Sequence, residues 1–199
     1  MEAKRLAYIT RVVAYIATES IITAIQLENE PFNDFGLCGS AFPIAEEVLK
    51  REVDAVRQAD TLSRPIVTTV NGDAIDWTKT ATFGDILAFT FYGFDYDSGV
   101  FFDHTARNGS PEEWRARGVA TGKIVKAGEV QAEDWWDLKN PPPHDPANSM
   151  NPHWMRKNLK FVLDTGVTDV NFWGAEWWLY LKDQGRTDMW DAAKAIFAE

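Results

Sequence analysis

The sequence predicts an α/β protein built on a parallel sheet, and three observations carry that expectation. Helical apolar patterns alternate with short β-branched runs along the whole chain. The strand-like runs are apolar on both faces, as buried parallel strands are. The longer loops follow the C-terminal ends of these runs, the face on which such sheets carry their chemistry. With 199 residues, 45% of them hydrophobic and 25% charged, the chain is long enough for one core, so a single domain over residues 1–199 is expected.

The elements follow in order. Leu6, Ile9, Val12, Val13 and Ile16 recur at helical spacing and predict a helix over 3–18. Ile21 to Leu27 reads as a buried strand, followed by an Asn/Asp/Gly-rich loop from Pro31 to Gly39. Pro43 opens a helix that buries Val48, Leu49, Val53 and Val56. Pro65 to Val70 is the next strand, stopped by Asn71-Gly72, and Asp85 to Tyr92 is another. Ser110-Pro-Glu-Glu places a cap, a first-position proline and acids in the first turn of a short helix. Lys123 to Gln131 gives a strand, and a proline-rich loop runs through Pro141 to Pro146. Asn151-Pro152 caps a helix with Met155, Leu159 and Val162 inward, closed by Gly166. Val167 to Gly174 is the last strand and Thr187 to Phe197 the last helix.

Composition narrows the function. A formal net charge of -10 with no basic run argues against nucleic acid and against an anionic membrane surface. No apolar run reaches membrane-span length, and the N-terminal segment lacks the continuous apolar core of a signal peptide. Localisation is left open. Cys38 is the only cysteine, reads as a packed thiol, and excludes an internal disulfide. His104, His144 and His153 have no metal-ligand spacing, so neither a metal nor another cofactor is expected. Nine tryptophans suit either stacking on sugar rings or core filling.

Glu30 and Glu129 stand at or near the C-terminal ends of two strands. Glycosidic cleavage commonly uses two carboxyl groups, one protonating the leaving oxygen and the other attacking the anomeric carbon or activating water. Two strand-end glutamates alone also fit metal binding or plain solvation. The run Q-L-E-N-E-P-F (Gln26 to Phe32) resembles the fourth-strand signature of glycoside hydrolase clan A, here of its cellulase-like (β/α)8-barrel glycosidases. A-G-E-V-Q-A-E-D-W (Ala127 to Trp135) resembles its seventh strand, with Gly128 in place of the usual hydroxyl residue. V-N-F-W-G-A-E-W-W-L-Y-L (Val170 to Leu181) resembles its eighth.

The resemblance implies a partial TIM barrel, roughly strands 4–8 with their helices, and a retaining hydrolase acting on a β-linked poly- or oligosaccharide. It assigns Glu30 as acid/base, Glu129 as nucleophile, Asn29 to the sugar 2-hydroxyl and Trp173 to the floor of the sugar site. It also places a tyrosine near Tyr92 against the nucleophile; a core or rim tyrosine is the other reading. Glu129 and Glu133 share strand parity but lie ~13 Å apart along a regular strand. Family position favours Glu129 as the nucleophile, with Glu133 extending into the cleft. Glu28 shares parity with Glu30 and reads either as a neighbour that keeps Glu30 protonated or as a structural acid. Glu176, Trp177 and Trp178 line a sugar subsite or pack beneath a helix.

Five strands are counted where a complete barrel has eight. The resemblance therefore implies an incomplete barrel: a fragment, a split barrel whose strands 1–3 come from a second chain, or a chain that self-associates over its open edges. The isolated chain is expected to show little activity and to dimerise or aggregate. The alternative function is a non-catalytic carbohydrate-binding remnant or a partner-completed half barrel.

Overall fold

The computed structural model describes residues 2–33, 44–97, 100–103, 109–134 and 150–198. Cys38, His104, His144 and residues 141–146 lie outside them. The elements are α1 (Glu2–Tyr15), β1 (Ile25–Gln26), α2 (Glu46–Ala59), β2 (Ile66–Asn71), α3 (Thr78–Ala81), β3 (Ile86–Phe91), β4 (Phe94–Asp97) and β5 (Val100–Asp103). They continue with α4 (Pro111–Ala120), β6 (Ile124–Gln131), α5 (Pro152–Asp164), β7 (Val170–Trp173), α6 (Ala175–Asp183) and α7 (Asp188–Ile196).

Five strands form one parallel sheet in the order β1-β2-β3-β6-β7, while β4 and β5 pair as an antiparallel hairpin. Strand order follows chain order without reversal. A doubly wound sheet reverses at a switch point, whereas a (β/α) barrel adds each strand beside the last. The fold is therefore a partial TIM barrel of the α/β class, as the sequence predicts.

The chain divides into two compact units, Met1–Phe89 with Ala116–Lys126, and Thr90–Arg115 with Ala127–Glu199. In the first, the helical spacing of α2 buries Leu49 and Val56 against Ile66, Leu27 and Val13. Trp77 stacks on Phe89 with ring centroids 5.2 Å apart. The strand at Ile21 to Leu27 is shorter than expected, because the Ile22 N–H turns back to the Glu19 carbonyl and Ile21 is 87% exposed. Parallel pairing begins where the Ile25 N–H meets the Pro65 carbonyl and continues to the Leu27 N–H on the Val67 carbonyl.

In the second unit, α4 opens with a reciprocal capping box: the Ser110 N–H donates to Glu113 Oε2 at 2.7 Å and the Glu113 N–H to Ser110 Oγ at 3.4 Å. Asn151 caps α5 by accepting from the N–H groups of His153 and Trp154. Met155 and Val162 face inward as expected; Leu159 is half-buried, and Asn158 is the fully buried neighbour. Its amide donates to the Gln131 carbonyl at 3.0 Å, and Gln131 Oε1 accepts from the Phe94 N–H at 2.8 Å. These bonds fix the turn that follows β3. Phe91 stacks on Phe161 at 4.5 Å and meets the edge of Trp114 at 5.3 Å.

Candidate active site

Glu30 lies just beyond β1, in a tight loop and not on the strand. Glu28 and Glu30 have φ of 57° and 46°, the left-handed region that costs a side-chain-bearing residue about 1 kcal/mol or more. The neighbouring strand holds this loop in place. The Glu30 N–H donates to Thr69 Oγ1 at 2.7 Å, and that hydroxyl lies 3.2 Å from Asn29 Oδ1. Asn33 Nδ2 donates to Glu30 Oε2 at 2.9 Å, orienting the carboxyl group. Asn29 itself is exposed.

Strand parity cannot relate Glu28 to Glu30, because the strand has ended before either. The Glu28 carboxyl group instead lies close enough to that of Glu52 in α2 for its charge to act there. Glu52 is fully buried and also forms an ion pair with Arg5 of α1. Burial, and then the negative charge of Glu28, push the Glu52 carboxyl up to about 7, with Arg5 opposing. The like charge of Glu28 thus acts on Glu52.

A cavity of about 310 Å³ opens beside Glu30. Thr69, Val70 and Thr80 form its buried floor and Phe32 one wall, while Asp73, Asp76 and Lys79 stand exposed at its rim. Lys79 pairs with Glu46 at 3.0 Å and lies 4.3 Å from the centre of the Phe32 ring. The Asp76 carboxylate accepts from the Thr78 N–H at 2.8 Å and from its hydroxyl at 2.6 Å. Thr69 and Asn33, which hold Glu30, carry no sequence signal of that role; only the pairing of β1 with β2 brings Thr69 to it.

In the second unit, Glu129 accepts a 2.7 Å hydrogen bond from the Tyr92 hydroxyl at Oε2. The strand carrying Glu129 is irregular. Ala127 pairs with Val170 and Val130 with Phe172, so β6 spends one residue more than β7 between these pairs. That extra residue is a β-bulge at Gly128-Glu129, a device that re-aims a side chain. Parity between Glu129 and Glu133 is therefore not that of a regular strand.

Glu133 lies past the end of β6 and accepts from the Trp173 indole at 2.8 Å. Burial raises the Glu133 carboxyl above its ordinary range, and the charges of Glu176 and Glu129 add to the rise, while the Trp173 hydrogen bond opposes it. Gly174 has φ of 121°, and a Cβ there would stand 2.6 Å from the Glu133 Cβ, so only glycine fits between Trp173 and α6. Trp173 is 43% exposed and Glu176 is exposed. Trp177 and Trp178 are buried with Met155, Leu181 and Met189, and the Trp178 indole donates to the Ala132 carbonyl at 2.6 Å. For these two the packing role is the one seen. The helix that carries them, α6, is an addition to the expected elements, which pass from the strand ending at Gly174 to the helix at Thr187. His153 is exposed against Trp154. Among the described residues no helix is long and apolar enough to cross a membrane.

No protein-family model matches the chain, and none of the curated proteins does. Solved structures do resemble it. The β-glucuronidase from Ruminococcus gnavus in complex with D-glucaro 1,5-lactone matches 86% of this chain and 29% of its own, with TM-score 0.57 and 15% identity. Its complex with D-glucuronic acid matches the same shares with TM-score 0.53 and 17% identity. A further crystal structure of the enzyme matches 86% and 30%, at 0.53 and 17%. These are TIM-barrel glycoside hydrolases, and the likeness is one of fold. The chain spans less than a third of their length.

Proposed function

We propose that this chain is the catalytic segment of a retaining clan A glycoside hydrolase acting on a β-linked poly- or oligosaccharide. In this reading β1, β2, β3, β6 and β7 correspond to strands 4–8 of the barrel. The observation that carries it is the placement of Glu30 just beyond the C-terminal end of β1 and of Glu129 near that of β6, in a fold shared with glycosidases. The hydrogen bond from Tyr92 to Glu129 supports the choice of Glu129 over Glu133.

In the first step Glu30 gives its proton to the glycosidic oxygen. The bond from the anomeric carbon to that oxygen breaks with its electron pair going to the oxygen, and the Glu129 carboxylate bonds the anomeric carbon. In the second, Glu30 takes a proton from water, whose oxygen displaces Glu129. Tyr92 orients the attacking carboxylate, Asn29 binds the 2-hydroxyl, and Trp173, with Glu133 and Glu176 beside it, lines the floor. Trp177 supports that floor from within the core.

The test is covalent trapping with a panel of 2-deoxy-2-fluoroglycosyl fluorides, read by intact mass and peptide mapping. A single adduct on Glu129, formed much more slowly by Tyr92→Phe, is the expected result. No adduct from any sugar of the panel, with sugar binding retained, would favour the non-catalytic carbohydrate-binding reading; an adduct on Glu133 would reassign the nucleophile.

A further inference from the structure

Helix α5 carries a polar residue where its pattern offers a core position. Met155, Asn158 and Val162 recur at helical spacing and all are buried, yet the middle one brings an amide inside. Burying an amide costs stability unless both of its ends find partners. Asn158 Nδ2 donates to the Gln131 carbonyl at 3.0 Å, but Oδ1 has no hydrogen-bond partner among the described residues. Gln131 repeats the pattern. Its side chain is fully buried, Oε1 accepts from the Phe94 N–H at 2.8 Å, and Nε2 has no partner among the described residues. Two half-satisfied amides in one core contribute little to stability, which points to a role in placement.

The amides join the two sides of the contact between Tyr92 and Glu129. Gln131 stands two residues after Glu129 in β6, and Phe94 stands two residues after Tyr92, across the turn beyond β3. Within that turn Gly93 is buried so tightly against Asn158 that a Cβ on it would collide with Oδ1. One helical turn before Asn158, Trp154 meets Phe94 edge-on with ring centroids 4.3 Å apart. One face of α5 therefore grips the turn, while the two amides tie that turn to the end of β6. A hydroxyl–carboxylate bond of 2.7 Å does not survive a displacement of about 1 Å, so the turn must be held to that tolerance. We infer that Asn158 and Gln131 are positioning residues, which keep the Tyr92 hydroxyl on Glu129 through the turn at Gly93-Phe94. Their bearing on the reaction rests on Glu129 being the nucleophile.

The experiment reads the Glu129 carboxyl group directly, by 13C NMR titration of the glutamate-labelled chain, with Glu129→Gln giving the assignment. Wild type is set beside Tyr92→Phe, Asn158→Ala and Gln131→Met, and beside each amide variant combined with Tyr92→Phe. Removing a donor from a carboxylate favours its protonated form, so Tyr92→Phe should raise the midpoint by about one pH unit. Asn158→Ala and Gln131→Met should each raise it comparably, and the combined variants should titrate like Tyr92→Phe alone. Glu133, whose charge also reaches Glu129, is the same in every variant. A midpoint unmoved by Tyr92→Phe or by both amide variants would overturn the inference, as would shifts that add to that of Tyr92→Phe. Where only one amide variant folds, it decides; loss of the fold in both would make the amides structural and overturn the inference too. The titration needs no turnover, so failure of the nucleophile reading is seen separately, as an acidic limb of kcat/KM on an aryl glycoside that stays put while the midpoint moves.

Discussion

The hydroxyl of Tyr92 reaches Glu129 because β3 ends one residue before it and the following turn is pinned by Gln131 and Asn158. A hydrogen bond to a charged group contributes about 1.5–3 kcal/mol. Tyr92→Phe should therefore lower kcat/KM on aryl glycosides by about 10- to 100-fold while leaving the melting temperature within a few degrees. An unchanged rate would reduce Tyr92 to a rim residue. Gly174 is the opposite case, a residue needed for its lack of a side chain. Its φ of 121° and the 2.6 Å approach to Glu133 make Gly174→Ala costly twice over, by about 2–4 kcal/mol, with chemical denaturation as the readout. A loss below about 1 kcal/mol would show that Glu133 can move aside, and that the contact with Trp173 is loosely held.

At the scale of elements, Glu52 of α2 stands between two opposing charges, Glu28 in the loop after β1 and Arg5 of α1. Glu52 is raised from 4.5 to about 7 in the folded chain, so the folded state holds this proton more tightly than the unfolded one. Stability from the protonated group is present below pH 4.5 and is lost as pH rises to about 7, an effect on the order of 3 kcal/mol. Glu52→Gln should flatten the melting temperature across that window and melt higher than wild type at pH 8; parallel curves for the two proteins would refute the assignment. None of this was legible in sequence, because Arg5, Glu28 and Glu52 are brought together only by the packing of three elements. The sheet was legible: apolar runs such as Ile66–Asn71 and Ile86–Phe91 are buried on both faces, which periodicity records directly. Two elements escaped for a physical reason. In α6 the aromatic run suits a strand as well as a helix, and only the tight turn at Gly174 starts the helix. At Ile21 a β-branched run forms a turn, since propensity yields to the hydrogen bond from Ile22 to Glu19.

At the scale of the whole molecule, β1 and β7 are the outer strands of the five-stranded sheet. In the first unit, β1 has only two residues, and Tyr8, Tyr15 and Ile21 are exposed at 70%, 87% and 87%. Exposed strand edges and exposed apolar side chains favour association. Light scattering should show self-association that grows with concentration, and Tyr15→Lys with Ile21→Lys should weaken it; a monomer at every concentration would contradict this. The bulge at Gly128-Glu129 has a consequence of another kind. One surplus residue sets the direction of Glu129, so its orientation is written in the length of the segment as much as in its letters. Loss of the single codon for Gly128 would spare Glu129, Tyr92 and Trp173, and would still turn Glu129 away from the Tyr92 hydroxyl. Among descendants of such a gene, a comparison by residue identity alone would find every one of these residues in place; one that respected spacing would see the arrangement changed.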